Sequence, residues 1–166
     1  LFVGGFSHQP NLDAVLWFAR KIFPLVRKVL PDIKWNIVGR DPPPEVRNLA
    51  GSGIIVEGAV SEHRLETLYQ TTKVVIAPLR FGAGVKGKVV EAMCRSIPVV
   101  TTPVGAEGIL DAEKALCITH SPEEMAKNVI ALCQDRIMWQ NTCDQLTKIT
   151  RSEEHTSELQ SHSGIS

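Results

Sequence analysis

The chain has 166 residues, 43% of them hydrophobic and 22% charged, with equal numbers of basic and acidic side chains. That length suits one well-packed domain and not two separate cores, and the composition reads as an ordinary globular protein and not a disordered or membrane one. No apolar run reaches the ~20 residues needed to span a bilayer. The balanced charge is too weak a bias to imply nucleic acid as a partner, since its binding needs basic side chains clustered along one face, and none is expected; any anion site must be local.

Short apolar runs alternate with longer helical patterns, as parallel βα units require. Residues 1–5, LFVGG, read as a strand ending in glycines. The chain opens without a methionine and already inside that strand, as expected of a piece of a longer protein. Asn11 is placed to cap a helix whose apolar face runs through Leu12, Val15, Leu16, Ala19, Ile22 and Phe23. Pro24 should kink or break that helix before its stripe resumes as far as Pro31. Strands are expected at 34–39, closed by Gly39 and a proline-rich turn at 42–44, and at 53–58. Ser61 is the N-cap of the next helix, and KVVIAPL at 73–79 is apolar enough for a central strand covered on both faces.

A glycine-rich loop leads into a helix at 87–95, followed by a strand at 97–105 and an edge strand at 115–118. Ser121 and Pro122 supply an N-cap and a first-turn proline for the helix PEEMAKNVIALCQ, with Glu123 and Glu124 in its favourable first turn. A final helix at about 136–149 closes a single doubly wound α/β unit.

From Arg151 the composition changes abruptly. RSEEHTSELQSHSGIS is nearly free of apolar residues, and its first part resembles the translation of a sequencing adapter, so residues 151–166 are expected to be a non-native, disordered tail following a domain at 1–150. Cys94, Cys117, Cys133 and Cys143 form no CxxC pair and have no histidines at zinc-ligand spacing. Buried free thiols, no metal site and a reducing, cytoplasmic setting are expected, and no secretory signal opens the chain.

Glycine turns fall after several strands: Gly4-Gly5, Gly39, the loop at 82–87 and Gly105. In an open parallel sheet these lie along one rim, where backbone amides can approach a charged ligand. The run GAGVKGKVVEAM, residues 82–93, is the most informative. Its lysines, Lys86 and Lys88, sit at a helix N-terminus, where positive charge is unfavourable unless an anion is present. That misfit points to a phosphate or diphosphate, and Arg80 just upstream extends the patch. Glu91 is three residues beyond Lys88 on the same helix. It is either a partner for Lys88 or an acceptor for paired hydroxyls such as those of a ribose. His8, beyond the first strand, reaches the same rim and can donate to a phosphate or touch a sugar. There is no GxxxxGK[ST] motif, and VGGFSHQPN departs from GxGxxG, so neither a P-loop nor an NAD site is expected. No nucleophile and base are paired.

With Glu91 and EAMCRSIPVVTTPVGAEGI at 91–109, the glycine-lysine loop resembles the C-terminal, donor-binding half of the two-lobed GT-B glycosyltransferases, in the retaining family 4 or group 1. The resemblance runs from Leu1 to about residue 149. It implies a Rossmann-like lobe that holds a nucleotide diphosphate sugar as donor substrate, without another cofactor. The acceptor would bind an N-terminal lobe not contained here, through which peripheral membrane association is also implied, and the fragment alone should be inactive. Of the family's two motif glutamates, Glu91 matches the second, which grips the donor ribose, while Ala83 stands at the first. Where the family carries Arg and Lys near the first turn, this sequence has Gly5 and Pro10 with His8 between them.

The resemblance therefore shifts neutralisation of the diphosphate to Lys86, Lys88 and Arg80, with catalytic roles for Lys86, Lys88 and His8. Donor contacts fall on Gly4, Gly5, Gly84, Gly87, Gly105 and Glu107, and residues 59–62 neighbour the base. Two alternatives remain at this level: a nucleotide-sugar epimerase of the same two-lobed fold, and a nucleotide-binding module without catalysis.

Overall fold

The structure is a computed structural model that describes residues 1–163, and of residues 153–163 the backbone alone. Six short strands, all parallel to their neighbours, carry the fold: β1 (Phe2–Val3), β2 (Trp35–Val38), β3 (Ile54–Gly58), β4 (Val75–Ala77), β5 (Val99–Thr101) and β6 (Cys117–Ile118). They pair as β1-β2-β3 and as β4-β5-β6. Leu1 joins the two groups: its amine donates to the Val74 carbonyl at 3.0 Å, and its own carbonyl accepts from the Ile76 amide at 3.0 Å. The order across the sheet is therefore β3-β2-β1-β4-β5-β6, which reverses direction between β1 and β4, the switch point where doubly wound sheets open a ligand crevice.

Side chains alternate across β4 and β5 because successive residues of a strand face opposite ways. Ile76 and Val100 join Val15, Phe18, Ile22 and Trp35 in one buried cluster. Val75, Ala77 and Val99 join Tyr69, Val89, Met93 and Leu146 in the other. Both faces are covered, which explains why 73–79 reads as a continuous apolar run.

The helices are α1 (Gln9–Trp17), α2 (Phe23–Val29), α3 (Pro44–Arg47), α4 (Glu62–Thr71), α5 (Gly87–Cys94), α6 (Ala112–Ala115), α7 (Pro122–Gln134) and α8 (Arg136–Ser163). Pro24 does interrupt the first helical run, but through a π-helical turn at Phe18–Ile22. There the Phe23 amide donates to the Phe18 carbonyl, five residues back, so the ladder widens just before the residue that has no amide to give. Ser61 and Ser121 cap α4 and α7 as expected, accepting from the Arg64 and Glu124 amides at 3.1 Å each.

Several expectations are corrected. Helix α1 begins two residues before Asn11, with His8 at its N-cap position; Pro10 with its fixed φ belongs in the first turn, and Asn11 is left inside the helix and buried. The segment around 115 is helix α6, and only Cys117–Ile118 forms the edge strand. Helix α8 continues past residue 149 to Ser163, where a disordered tail at 151–166 was expected, residues 164–166 lying outside the described residues; no glycine or proline interrupts 151–163, and its Glu, Gln and Leu residues favour helix. The apolar stripe does end near residue 149, with Leu146 buried and Ile149 packed beside it. All four cysteines are free, but Cys94 is exposed, where a buried thiol was expected.

Among the described residues no helix is long and apolar enough to cross a membrane, and no group of His, Cys, Asp and Glu is arranged to hold a metal ion. A cavity of about 620 Å³ lies at the amino ends of the strands, lined by Leu1, Phe18, Trp35 and Val74 among others. It is at the opposite edge of the sheet from the glycine turns.

Candidate functional site

Parallel strands place the turns after β1, β2, β4 and β5 on one rim, where crowding forces glycine at some positions and not at others. A Cβ on Gly39 would fall 1.9 Å from the Gly4 carbonyl oxygen, so the turns after β1 and β2 touch through backbone. A Cβ on Gly105 would fall 1.9 Å from the Thr101 hydroxyl, which itself donates to the Ala77 carbonyl at 2.8 Å. Around Gly5 and Gly87, in contrast, no atom lies within 4 Å of where a Cβ would stand. Those two glycines leave open space at the first turn and at the mouth of α5. A cleft of about 280 Å³ opens on this rim, lined by Gly4, Gly5, Gly39, Arg40, Ala59 and Val60 among others.

The two lysines of the loop are placed very differently. Lys86 is 7% exposed, and its ammonium curls back to donate to the Gly82 and Gly84 carbonyls at 3.1 and 2.5 Å. It braces its own loop, whose Gly82 and Gly84 have positive φ. Lys88, in the first turn of α5, instead reaches across to the first strand. It donates to Asn11 Oδ1 at 2.8 Å and lies 5.5 Å from the centre of the Phe2 ring. Burial first, and then the charge of Lys86, lower its pKa to about 8, because a desolvated ammonium beside a second cation loses its proton more readily.

The remaining expected residues are anchored at the edges. Arg80 is held on α1, its Nε donating to Asp13 at 2.9 Å and its guanidinium 5.2 Å from the Trp17 ring. Glu91 does not pair with Lys88. It accepts from Arg95 Nε at 2.8 Å, and Arg95 also binds Glu66 of α4 and lies over Tyr69. That ion pair is half-exposed, and such pairs are worth only about 0.2–1 kcal/mol, so Glu91 is easily released to another partner. Glu107 accepts from the Gly84 amide at 3.1 Å and clips the glycine loop to the turn after β5. His8 is exposed at the start of α1.

The sequence matches the profile of the family described as "Glycosyl transferases group 1" over residues 1–135. The chain belongs to the group 1 glycosyltransferases. An uncharacterized 44.6 kDa protein of the cps region in Klebsiella pneumoniae is 31% identical over a 138-residue alignment that covers 78% of this chain and 36% of that protein. This group 1 chain thus spans about a third of that relative's length.

Among solved structures, the C-terminal domain of the group 1 glycosyl transferase LpcC from Francisella tularensis superposes with a TM-score of 0.68 at 15% identity, covering 92% of this chain and 85% of that one. HepE from Anabaena, solved in complex with UDP and glucose, gives a TM-score of 0.62 at 17% identity over 96% of this chain and 48% of its own. The fold is therefore the Rossmann-like C-terminal lobe of a GT-B glycosyltransferase, as the motif at 82–109 implied.

Two residues of this glycosyltransferase lobe escape sequence reading. Arg40 lines the cleft directly after Gly39, and its only advance signal was a basic residue following a strand-ending glycine. Asn11 carries no signal beyond that of an ordinary helix cap, since its contact with Lys88 joins residues far apart in sequence.

Proposed function

We propose that this chain is the donor-binding lobe of a glycosyltransferase that transfers a sugar from a nucleotide diphosphate sugar with retention of anomeric configuration. The observation that carries the reading is the meeting of Lys88, the first turn with its open Gly5, and the amino end of α5 at the switch point of the sheet. The amides at the start of α5 and the open space at Gly5, with the Lys88 ammonium beside them, form a receptor for a diphosphate. The similar HepE fold, solved with UDP and glucose, supports a nucleotide donor.

In this arrangement the base lies in the cleft by Ala59 and Val60. Glu91 leaves Arg95 to accept hydrogen bonds from the ribose hydroxyls. As the glycosidic bond to the diphosphate breaks, negative charge grows on the leaving phosphate oxygens. Lys88 and the α5 amides, already oriented, stabilise that charge without reorganising. Lys86 acts one step back by fixing the loop that presents these amides. Arg40 lines the cleft and His8 is exposed at the start of α1; each would donate to the donor's phosphates or sugar. The acceptor would come from a facing lobe.

Calorimetric titration of the chain with UDP-, GDP-, ADP- and dTDP-sugars tests this reading. One donor class should bind, and Glu91→Ala should weaken the sugar nucleotide while leaving inorganic pyrophosphate unaffected. Failure of every donor to bind the folded chain would overturn the assignment.

A further inference from the structure

Asn11 is one of few buried polar side chains among the described residues, 4% exposed, and no helix cap needs it. Its carboxamide has two partners. Nδ2 donates to the Gly5 carbonyl at 2.9 Å, and Oδ1 accepts from Lys88 at 2.8 Å. A carbonyl can only accept and an ammonium can only donate, so only one orientation of the amide satisfies both. Gly4 is shaped by the same side chain: a Cβ there would lie 2.7 Å from Asn11 Nδ2. The first glycine of the turn therefore makes room for Asn11, while the open second glycine faces free space.

We propose that Asn11 is a positioning residue for Lys88, holding its ammonium against the Gly4-Gly5 turn where a diphosphate binds. This rests on the donor-lobe reading above. The choice of an amide has a physical reason. A carboxylate at this position would fix the lysine equally well, but it would cancel the charge that attracts the anion and would repel the Gly5 carbonyl. A neutral acceptor holds the cation and leaves its charge available. An apolar residue would leave a buried ammonium short of a hydrogen bond. The other groups near Lys88 are Lys86, whose charge repels it, and the Phe2 ring, so Asn11 supplies the hydrogen bond that keeps the ammonium in place.

The test is a double-mutant cycle on the whole 166-residue chain, titrated with UDP, GDP and inorganic pyrophosphate. Asn11→Ala and Lys88→Gln should each weaken binding about tenfold, as loss of one hydrogen bond to a charged group does. The double variant should bind no worse than Lys88→Gln, because Asn11 acts only through the lysine. Independent losses that multiply, or an Asn11→Ala protein that binds like the parent, would overturn the proposal.

Should Asn11→Ala fail to fold, the isosteric Asn11→Asp serves in its place. It should bind the probes weakly while the pH at which Lys88 deprotonates moves upward, and unchanged binding by this variant would overturn the role. A parent chain that binds none of the three probes and none of the four donor sugars removes the donor-lobe reading and this role together, whereas binding by the parent with multiplicative losses removes the role alone.

Discussion

Lys86 and Lys88 are two residues apart, yet they do different work because a helix begins between them. Lys86 stands at the cap position and folds back on Gly82 and Gly84; Lys88 is one turn-step further round and points to Asn11. Lys86→Met should therefore lower stability by about 1–2 kcal/mol through two lost charge-assisted hydrogen bonds, read as a lower urea midpoint. For Lys88 the observable is pH. Its pKa of about 8 means that affinity for a nucleoside diphosphate should fall as pH rises from 7 to 9, because the neutral amine no longer attracts the anion. The same group makes folding more favourable over the interval from about 8 up to its ordinary value of 10.5, where the unfolded chain binds the extra proton. An affinity that is flat to pH 9.5 would remove Lys88 from the site.

At the scale of the element, the glycines on the rim divide into two kinds that the sequence does not distinguish. Gly39→Ala drives a Cβ into the Gly4 carbonyl and should destabilise by about 1–3 kcal/mol, since backbone must shift to admit it. Gly87→Ala meets no neighbour and replaces glycine in the first turn of α5. It should raise stability by up to ~1 kcal/mol while weakening nucleotide binding, because the new methyl group stands at the helix mouth. Thermal denaturation and calorimetry on the two variants separate these outcomes: a Gly87→Ala protein that binds donor normally would show that the α5 mouth is not where phosphate sits.

At the scale of the whole molecule, the two halves of the sheet meet through a two-residue strand and Leu1. Leu1 is 7% exposed and packs with Val38, Val75 and Ala77, while its nitrogen donates to the Val74 carbonyl and its carbonyl accepts from the Ile76 amide, each at 3.0 Å. Leu1→Ala should therefore lower stability by about 2–5 kcal/mol, as loss of a buried leucine side chain does, read as a lower urea midpoint. An unchanged midpoint would contradict the account.

Much of this molecule is written locally. The alternation of apolar runs with helical periods, the serine caps at 61 and 121, and the glycine turns at strand ends follow from backbone sterics and hydrogen bonding within a few residues. They determined a doubly wound sheet with glycine turns along one rim, and the run at 82–109 carried the resemblance to the family. What each charged side chain does there is settled by contacts between residues far apart in the chain. Asn11 meets Lys88 across 77 positions and Arg80 meets Asp13 across 67, and no local pattern records such distances. The tertiary structure alone decided that Lys86 braces a loop, that Lys88 faces the first turn, and that Glu91 rests on Arg95, because an ammonium or carboxylate takes its partner from whatever the packed elements bring within hydrogen-bond reach.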